Sequence, residues 1–264
     1  MNHSPVEMQL TSHSFPEGQL SAAERTHIGH FIRQANPRPQ VCIEIGTWLG
    51  GGSTLHILKA LYENNAGHLW GIEADRSIFE RMLVNIRTAF PQGADRFTPL
   101  FGLPQPVLPE WLATLGDGGG VDFAFLDGGD NPAEQILEFR LLDPRMPVGS
   151  QLMAHDAYMR KGKWLVPYLS RLDNWDCQLL DGSDLGLLYA RKLKLQPSWR
   201  SRQRAEWHLR LQRVHPVEFA AAVLPATVRR WLADTLPRCV RWYTTRKRHI
   251  GFAPKNPSAS NDHD

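Results

Sequence analysis

Four short apolar runs in this chain each end on an acidic residue, and the first of them opens into a glycine-rich turn. The runs are residues 41–43 into Glu44, 69–72 into Glu73, 121–126 into Asp127, and 151–155 into Asp156. Runs of this length bounded by turn signals read as buried strands. After Glu44 the chain continues Ile45-Gly46-Thr47-Trp48-Leu49-Gly50-Gly51-Gly52-Ser53-Thr54, and a helical apolar pattern follows. In an open parallel sheet, ligands bind at the carboxyl ends of the strands. Carboxylates at four strand ends would therefore converge on one ligand, one that carries hydroxyls and an ammonium group and that could bring a metal.

The segments between the runs support such a sheet. Ser21 followed by Glu24 has the form of a capping box, which predicts a helix to about Gln34, broken by Pro37 and Pro39. Helices are expected at 53–64, 75–89, 108–115, 132–142 and 164–172, with strands at 97–101 and 150–154. Residues 176–180 and 185–190 alternate as a hairpin around Asp181-Gly182-Ser183-Asp184. The strand–helix alternation predicts a doubly wound, mostly parallel seven-stranded α/β sheet that ends in an antiparallel hairpin.

Charge divides the chain. Residues 1–194 hold 17 Lys/Arg against 22 Asp/Glu, and residues 195–264 hold 13 against 5, so the net +3 splits into −5 and +8. This suggests a catalytic domain over 1–194, with a loose arm at 1–20, and a basic helical extension over 195–264. Its tail, from 254, is rich in Pro, Ser and Asn and is expected to be disordered. Residues 196–250, with Trp231, Trp242 and clustered arginines, read first as a helical appendage on the domain or on a second copy. The sharper reading is contact with an anionic membrane surface or carrier. Nucleic acid is not expected, because the positive charge lies outside the motif-bearing region. Three scattered cysteines and a polar N-terminus point to a reducing, cytoplasmic setting, with a peripheral membrane position left open.

The motif Glu44-Ile45-Gly46-Thr47-Trp48-Leu49-Gly50 resembles the first motif of class I S-adenosylmethionine-dependent methyltransferases. Residues 21–192 resemble, more narrowly, the small bacterial O-methyltransferases related to the catechol and macrolide sugar enzymes. Those typically read Asp-Gly-Asp-His-x-Tyr after the fourth strand and His-Asp after the fifth; this chain reads Asp127-Gly128-Gly129-Asp130-Asn131-Pro132 and His155-Asp156. The resemblance implies a Rossmann-like methyltransferase that transfers a methyl group to a hydroxyl of a small molecule or sugar. It places Glu44, Gly46, Thr47, Trp48, Gly50 and Ser53 around the amino-acid end of the cofactor. Glu73 would lie at the ribose, Gly102 and Leu103 beside the adenine, and Asp127 near the ammonium. Asp130, Asp156 and His155 become candidates for the proton acceptor. Asp127, Asp156 and Asp130 become candidate ligands for Mg²⁺, which would lower the pKa of an acceptor hydroxyl.

Three features depart from the family pattern. The turn carries one glycine more than the usual spacing before Ser53. Asp130 stands where the family has histidine. Asp156 is followed by Ala157 rather than a second ligand. Simpler roles compete at each site: His155 as a structural histidine, Asp130 as the cap of the helix near Pro132, and Arg160-Lys161-Gly162-Lys163 as a solvated loop or anion contact. A non-catalytic S-adenosylmethionine-binding protein is the alternative function. An NAD oxidoreductase fits less well, because no Gly-x-Gly-x-x-Gly is present.

Overall fold

The computed structural model describes residues 18–213. The element order is α1 (Ala22–Gln34), β1 (Val41–Ile45), α2 (Thr54–Glu63), β2 (His68–Glu73), α3 (Arg76–Ala89), β3 (Phe97–Phe101), α4 (Pro104–Thr114), β4 (Phe123–Leu126), α5 (Pro132–Leu142), β5 (Gln151–Ala154), α6 (Gly162–Leu169), β6 (Trp175–Leu180), β7 (Leu187–Lys192) and α7 (Trp199–Arg213). Seven strands form one sheet in the order β3-β2-β1-β4-β5-β7-β6. The first five are parallel, while β7 runs antiparallel to both β5 and β6. This is the expected doubly wound sheet with its antiparallel hairpin.

The central strands are apolar because helices cover both faces. Every residue of β4 and β5 is buried. Chain order reverses at β1, whose neighbours are β2 on one side and β4 on the other. Such a reversal splays the following loops apart and opens the crevice in which open α/β sheets bind ligands.

Ladder bonds continue past the strand ends and fix the residues that follow. Gly46 N–H donates to Ile72 O at 3.0 Å, Asp127 N–H to Ile45 O at 2.8 Å, His155 N–H to Leu126 O at 3.0 Å, and Gly102 N–H to Glu73 O at 2.9 Å. The acidic edge is thus held in register by backbone, not by flexible loops.

Helix α1 starts with the full capping box: Ser21 N–H donates to the Glu24 carboxylate at 2.6 Å, and Glu24 N–H donates to Ser21 Oγ. Two helices begin earlier than their sequence patterns suggest. Helix α4 starts at Pro104 rather than at 108, since proline at a first helical position has no N–H to lose. Helix α6 starts at Gly162 and ends at Leu169, not at 164–172.

The compact unit that carries the sheet runs to Trp207, past the boundary expected at 194. Ser198 N–H and Ser201 Oγ both donate to Asp173 Oδ1 at 2.8 Å, and Glu206 pairs with Arg140 at 2.6 Å. The first turns of α7 are therefore tied to the domain, which a change in charge could not reveal. Residues 208–213 complete α7. The expected loose arm up to residue 17, and the expected helices and tail beyond 213 with Trp231 and Trp242, lie outside the described residues. Among the described residues, no helix is long and apolar enough to cross a membrane.

Candidate active site

The β1–α2 turn approaches its neighbours so closely that two glycines are required. Gly46 has φ +88°, and a Cβ there would lie 2.5 Å from Asp127 O; Gly50 has φ +85° and faces Ile86 and Met82. Any other L-residue would be strained in this left-handed region. Trp48, at φ 50°, adopts the same region without being glycine, and its side chain stays substantially exposed. Trp48 N–H points inward and donates to Glu73 Oε2 at 2.9 Å.

Glu44 and Glu73 form the first half of the site. Glu44 is fully buried, and Ser53 Oγ donates a short hydrogen bond to its Oε1. The extra glycine in the turn therefore does not displace Ser53. Ser53 precedes α2 but makes no side-chain cap bond, because its hydroxyl is directed at Glu44 instead. Glu44 Oε2 has no hydrogen-bond partner. Burial pushes the Glu44 carboxyl up to about 8, against the opposing pull of the Ser53 hydrogen bond. Glu73 accepts from Trp48 N–H on one oxygen, and from Ala74 and Asp75 N–H at 2.9 and 3.0 Å on the other. Thr47 is buried with its hydroxyl unpaired, Gly102 turns the chain at φ +135° at the end of β3, and Leu103 after it is exposed.

The second half lies at the ends of β4 and β5. His155 is buried, with Nδ1 3.3 Å from Asp127 Oδ1 and 3.5 Å from Asp156 Oδ1, and Nε2 3.1 Å from Glu24 Oε1. Burial pulls the His155 pKa down, but the hydrogen bond and charge of Asp127, with Asp156 and Glu24, outweigh it and leave it raised. Burial likewise works against an ionised Glu24, yet the hydrogen bonds from Ser183 and Ser21 and the His155 charge hold its carboxyl below the usual range.

The ammonium of Lys161 sits between the two aspartates. Nζ donates to Asp127 Oδ1 at 2.7 Å, to Asp156 Oδ2 at 2.9 Å and to Gly128 O at 3.0 Å, which uses all three protons. Burial opposes its charge, but the two aspartates leave its pKa raised. Asp156 has φ 59°, a conformation that aspartate tolerates better than most residues. From there the loop closes on itself: Met159 N–H donates to Asp156 O at 2.9 Å, and a Cβ on Gly162 would lie 2.6 Å from Ala157 Cα. This tight return carries Lys161 back over the strand end.

The structure brings Asp127, His155 and Asp156 together, with candidate ligand atoms all within 4.8 Å of one another. It does not bring Asp130 to them. Asp130 is exposed, and the cap of α5 is the next residue, Asn131, whose side chain accepts from Ala133 N–H at 3.0 Å. The helix-cap reading of Asp130 is corrected, and its carboxylate does not join the group formed by Asp127, His155 and Asp156.

Sequence reasoning missed Lys161, Glu24 and Ser183. Lys161 sat in a basic tetrapeptide that resembles a solvated loop; the only available signal was Gly162 after it, which marks a close return. Glu24 was recognised only as half of a capping box. Its other oxygen reaches His155 across the fold, 131 residues away in sequence.

The β1-to-β5 region, residues 43–157, matches the family model described as a methyltransferase domain. No curated protein sequence matches the chain. Solved structures of similar fold include a putative O-methyltransferase from Klebsiella pneumoniae, 20% identical, covering 70% of this chain and 84% of its own, with a TM-score of 0.52. The O-methyltransferase of tomaymycin synthesis from Streptomyces achromogenes, in complex with S-adenosylmethionine, is 19% identical, covers 66% of this chain and 81% of its own, and also scores 0.52. An O-methyltransferase from Bacillus cereus bound to S-adenosylhomocysteine is 19% identical over 67% of this chain and 84% of its own, again with a TM-score of 0.52. Its strand order, its glycine turn and the buried glutamates at the ends of adjacent strands give the chain the fold of these structures, with residues 43–157 matching the methyltransferase-domain family model.

Proposed function

We propose that the enzyme transfers the methyl group of S-adenosylmethionine to a hydroxyl oxygen of a small molecule or a sugar unit. The observation that carries the cofactor half of this reading is the Glu44–Glu73 pair. Glu44 has a buried, unpartnered carboxyl oxygen suited to an ammonium group, and Glu73 offers two carboxylate oxygens suited to vicinal ribose hydroxyls. The hydroxyl acceptor is favoured by the solved relatives that are described as O-methyltransferases. It is also favoured by the partly exposed carboxylates of Asp127 and Asp156, which can receive a proton.

In this reading the acceptor oxygen attacks the sulfonium methyl in line. A C–O bond forms as the C–S bond breaks, S-adenosylhomocysteine leaves, and the hydroxyl proton passes to Asp156 or Asp127. The enzyme contributes by holding the two reactants in line and placing the base at the oxygen. His155, with both ring nitrogens facing carboxylates, orients Asp127 and Asp156 rather than serving as the proton acceptor.

The test is transfer of labelled methyl from S-adenosylmethionine to a panel of catechols, phenols and deoxysugar nucleotides. Turnover with a hydroxyl acceptor, lost in Asp156→Asn with cofactor binding retained, supports the reading. Tight cofactor binding with no turnover on any acceptor favours the non-catalytic binding protein.

A further inference from the structure

The acceptor side of the crevice already contains a cation. Lys161 is 5% exposed, and its ammonium lies 2.7 and 2.9 Å from the carboxylates of Asp127 and Asp156. A surface lysine would keep its head group in water, because the ammonium is strongly hydrated. Here the head group is inside, with each of its three protons on a separate acceptor.

This arrangement bears directly on the metal expected at Asp127, Asp156 and Asp130. A magnesium ion bridging the first two would sit about 2.1 Å from a carboxylate oxygen of each. That gap is the one the ammonium spans, and two cations cannot share it without losing the attraction that holds either. The other members of the expected set do not supply ligands either. Asp130 is out in solvent. His155 has one ring nitrogen against Asp127 and the other against Glu24, so neither lone pair is directed at an ion. The residues present do not fit a divalent metal.

We propose that Lys161 is the resident cation of the acceptor site, holding Asp127 and Asp156 in place of a divalent metal, so that this enzyme transfers methyl groups without one. Lys161 is then a positioning residue: it acts through the two aspartates and has no proton left to offer a substrate. The acceptors that suit such a site are hydroxyls that a carboxylate can deprotonate as the methyl transfers, with no Lewis acid bound to the oxygen. The same closure removes Lys161 as a contact for an anionic substrate group.

The proposal rests on the reading that the β4 and β5 ends face the acceptor, and its test separates the two. The full chain is titrated with Mn²⁺, followed by its electron paramagnetic resonance signal, for wild type, Lys161→Ala and the double variant Lys161→Ala/Asp127→Asn. Binding of S-adenosylhomocysteine in excess chelator is measured on the same samples. Wild type should show no saturable Mn²⁺ site, Lys161→Ala should gain one of roughly tenfold or more higher affinity, and Asp127→Asn should remove it again. A saturable site in wild type that Asp127→Asn abolishes would overturn the proposal, as would a folded Lys161→Ala that gains no site. Should Lys161→Ala fail to fold, wild type and Asp127→Asn alone decide between those outcomes. Loss of S-adenosylhomocysteine binding in wild type would instead overturn the cofactor reading, leaving the Mn²⁺ result to be judged by itself.

Discussion

The two ends of the crevice treat their carboxylates in opposite ways. At the β1–β2 end, Glu44 and Glu73 are met by neutral donors only: a serine hydroxyl and three backbone N–H groups. One buried oxygen of Glu44 is left unpartnered, and burial pushes its carboxyl up to about 8. At the β4–β5 end, Asp127 and Asp156 are met by Lys161 and His155. The first half lacks a cation and, on the proposed reading, gains one when a cofactor bearing an ammonium binds. The second half carries its own. Four carboxylates that look equivalent along the sequence are thus separated into a ligand-completed pair and a self-neutralised pair, and the surrounding donors decide which is which.

The largest effect should come from breaking the self-neutralised pair. Lys161→Met leaves two facing carboxylates without their cation. Removing one member of a buried pair costs about 3 kcal/mol at the lower end of the usual range, which suits aspartates that retain some exposure. Urea denaturation should show this loss, and an unchanged midpoint would mean that the ammonium contributes little. Glu73→Ala should affect the fold far less but remove most of the cofactor's stabilising effect. Ligand at about 100 times its dissociation constant adds roughly 2.7 kcal/mol to the wild type, and a full melting-temperature shift in the variant would break the assignment of Glu73 to the ribose.

A smaller change, Glu44→Gln, sharpens the contrast through pH. The folded-state pKa of Glu44 is about 8, above the ordinary glutamate value of 4.5. Its contribution to the stability of the ligand-free protein is therefore fully present below the unfolded pKa and is lost as pH rises through about 8. The glutamine variant should flatten that part of the stability profile and weaken S-adenosylhomocysteine by about tenfold, about 1.4 kcal/mol. A variant profile that kept the wild-type slope would assign the titration to another group. The smallest effect is expected at Glu24→Gln, where one charged hydrogen bond to His155 becomes neutral, at about 1 kcal/mol. Nuclear magnetic resonance of the His155 ring should show its pKa lowered in this variant; no change would mean that Asp127 and Asp156 alone hold it up.

Much of this molecule was legible in its sequence because it depends on local patterns. Strand ends marked by Glu44, Glu73, Asp127 and Asp156 follow from apolar runs and turns, and the fold from their alternation. The role of Gly46 was legible for the same reason, since a strand that turns directly into a helix needs backbone freedom there. What failed depended on contacts across the fold. Nothing near Lys161 in sequence shows that its loop returns over Asp156, and nothing near Glu24 shows that its second oxygen lies against His155 and Ser183. Asp130 was misplaced because its position after β4 fixes only its place in a turn, and the path of that turn decides whether a side chain faces the crevice or the solvent. The boundary near residue 194 was drawn from charge, and charge says nothing of the Ser201 hydroxyl and Ser198 N–H that tie the start of α7 to Asp173.

The division between a ligand-completed pair and a self-neutralised pair is tested most directly by counting protons on cofactor binding. Calorimetric titration at pH 7, in two buffers of different ionisation enthalpy, gives the number exchanged. S-adenosylhomocysteine brings an ammonium to Glu44, whose carboxyl is mostly protonated at that pH in the free enzyme, so binding should release close to one proton. Methylthioadenosine, which has the ribose and adenine but no amino-acid end, should bind with none released. Equal release with both ligands, or no release with S-adenosylhomocysteine, would contradict the account.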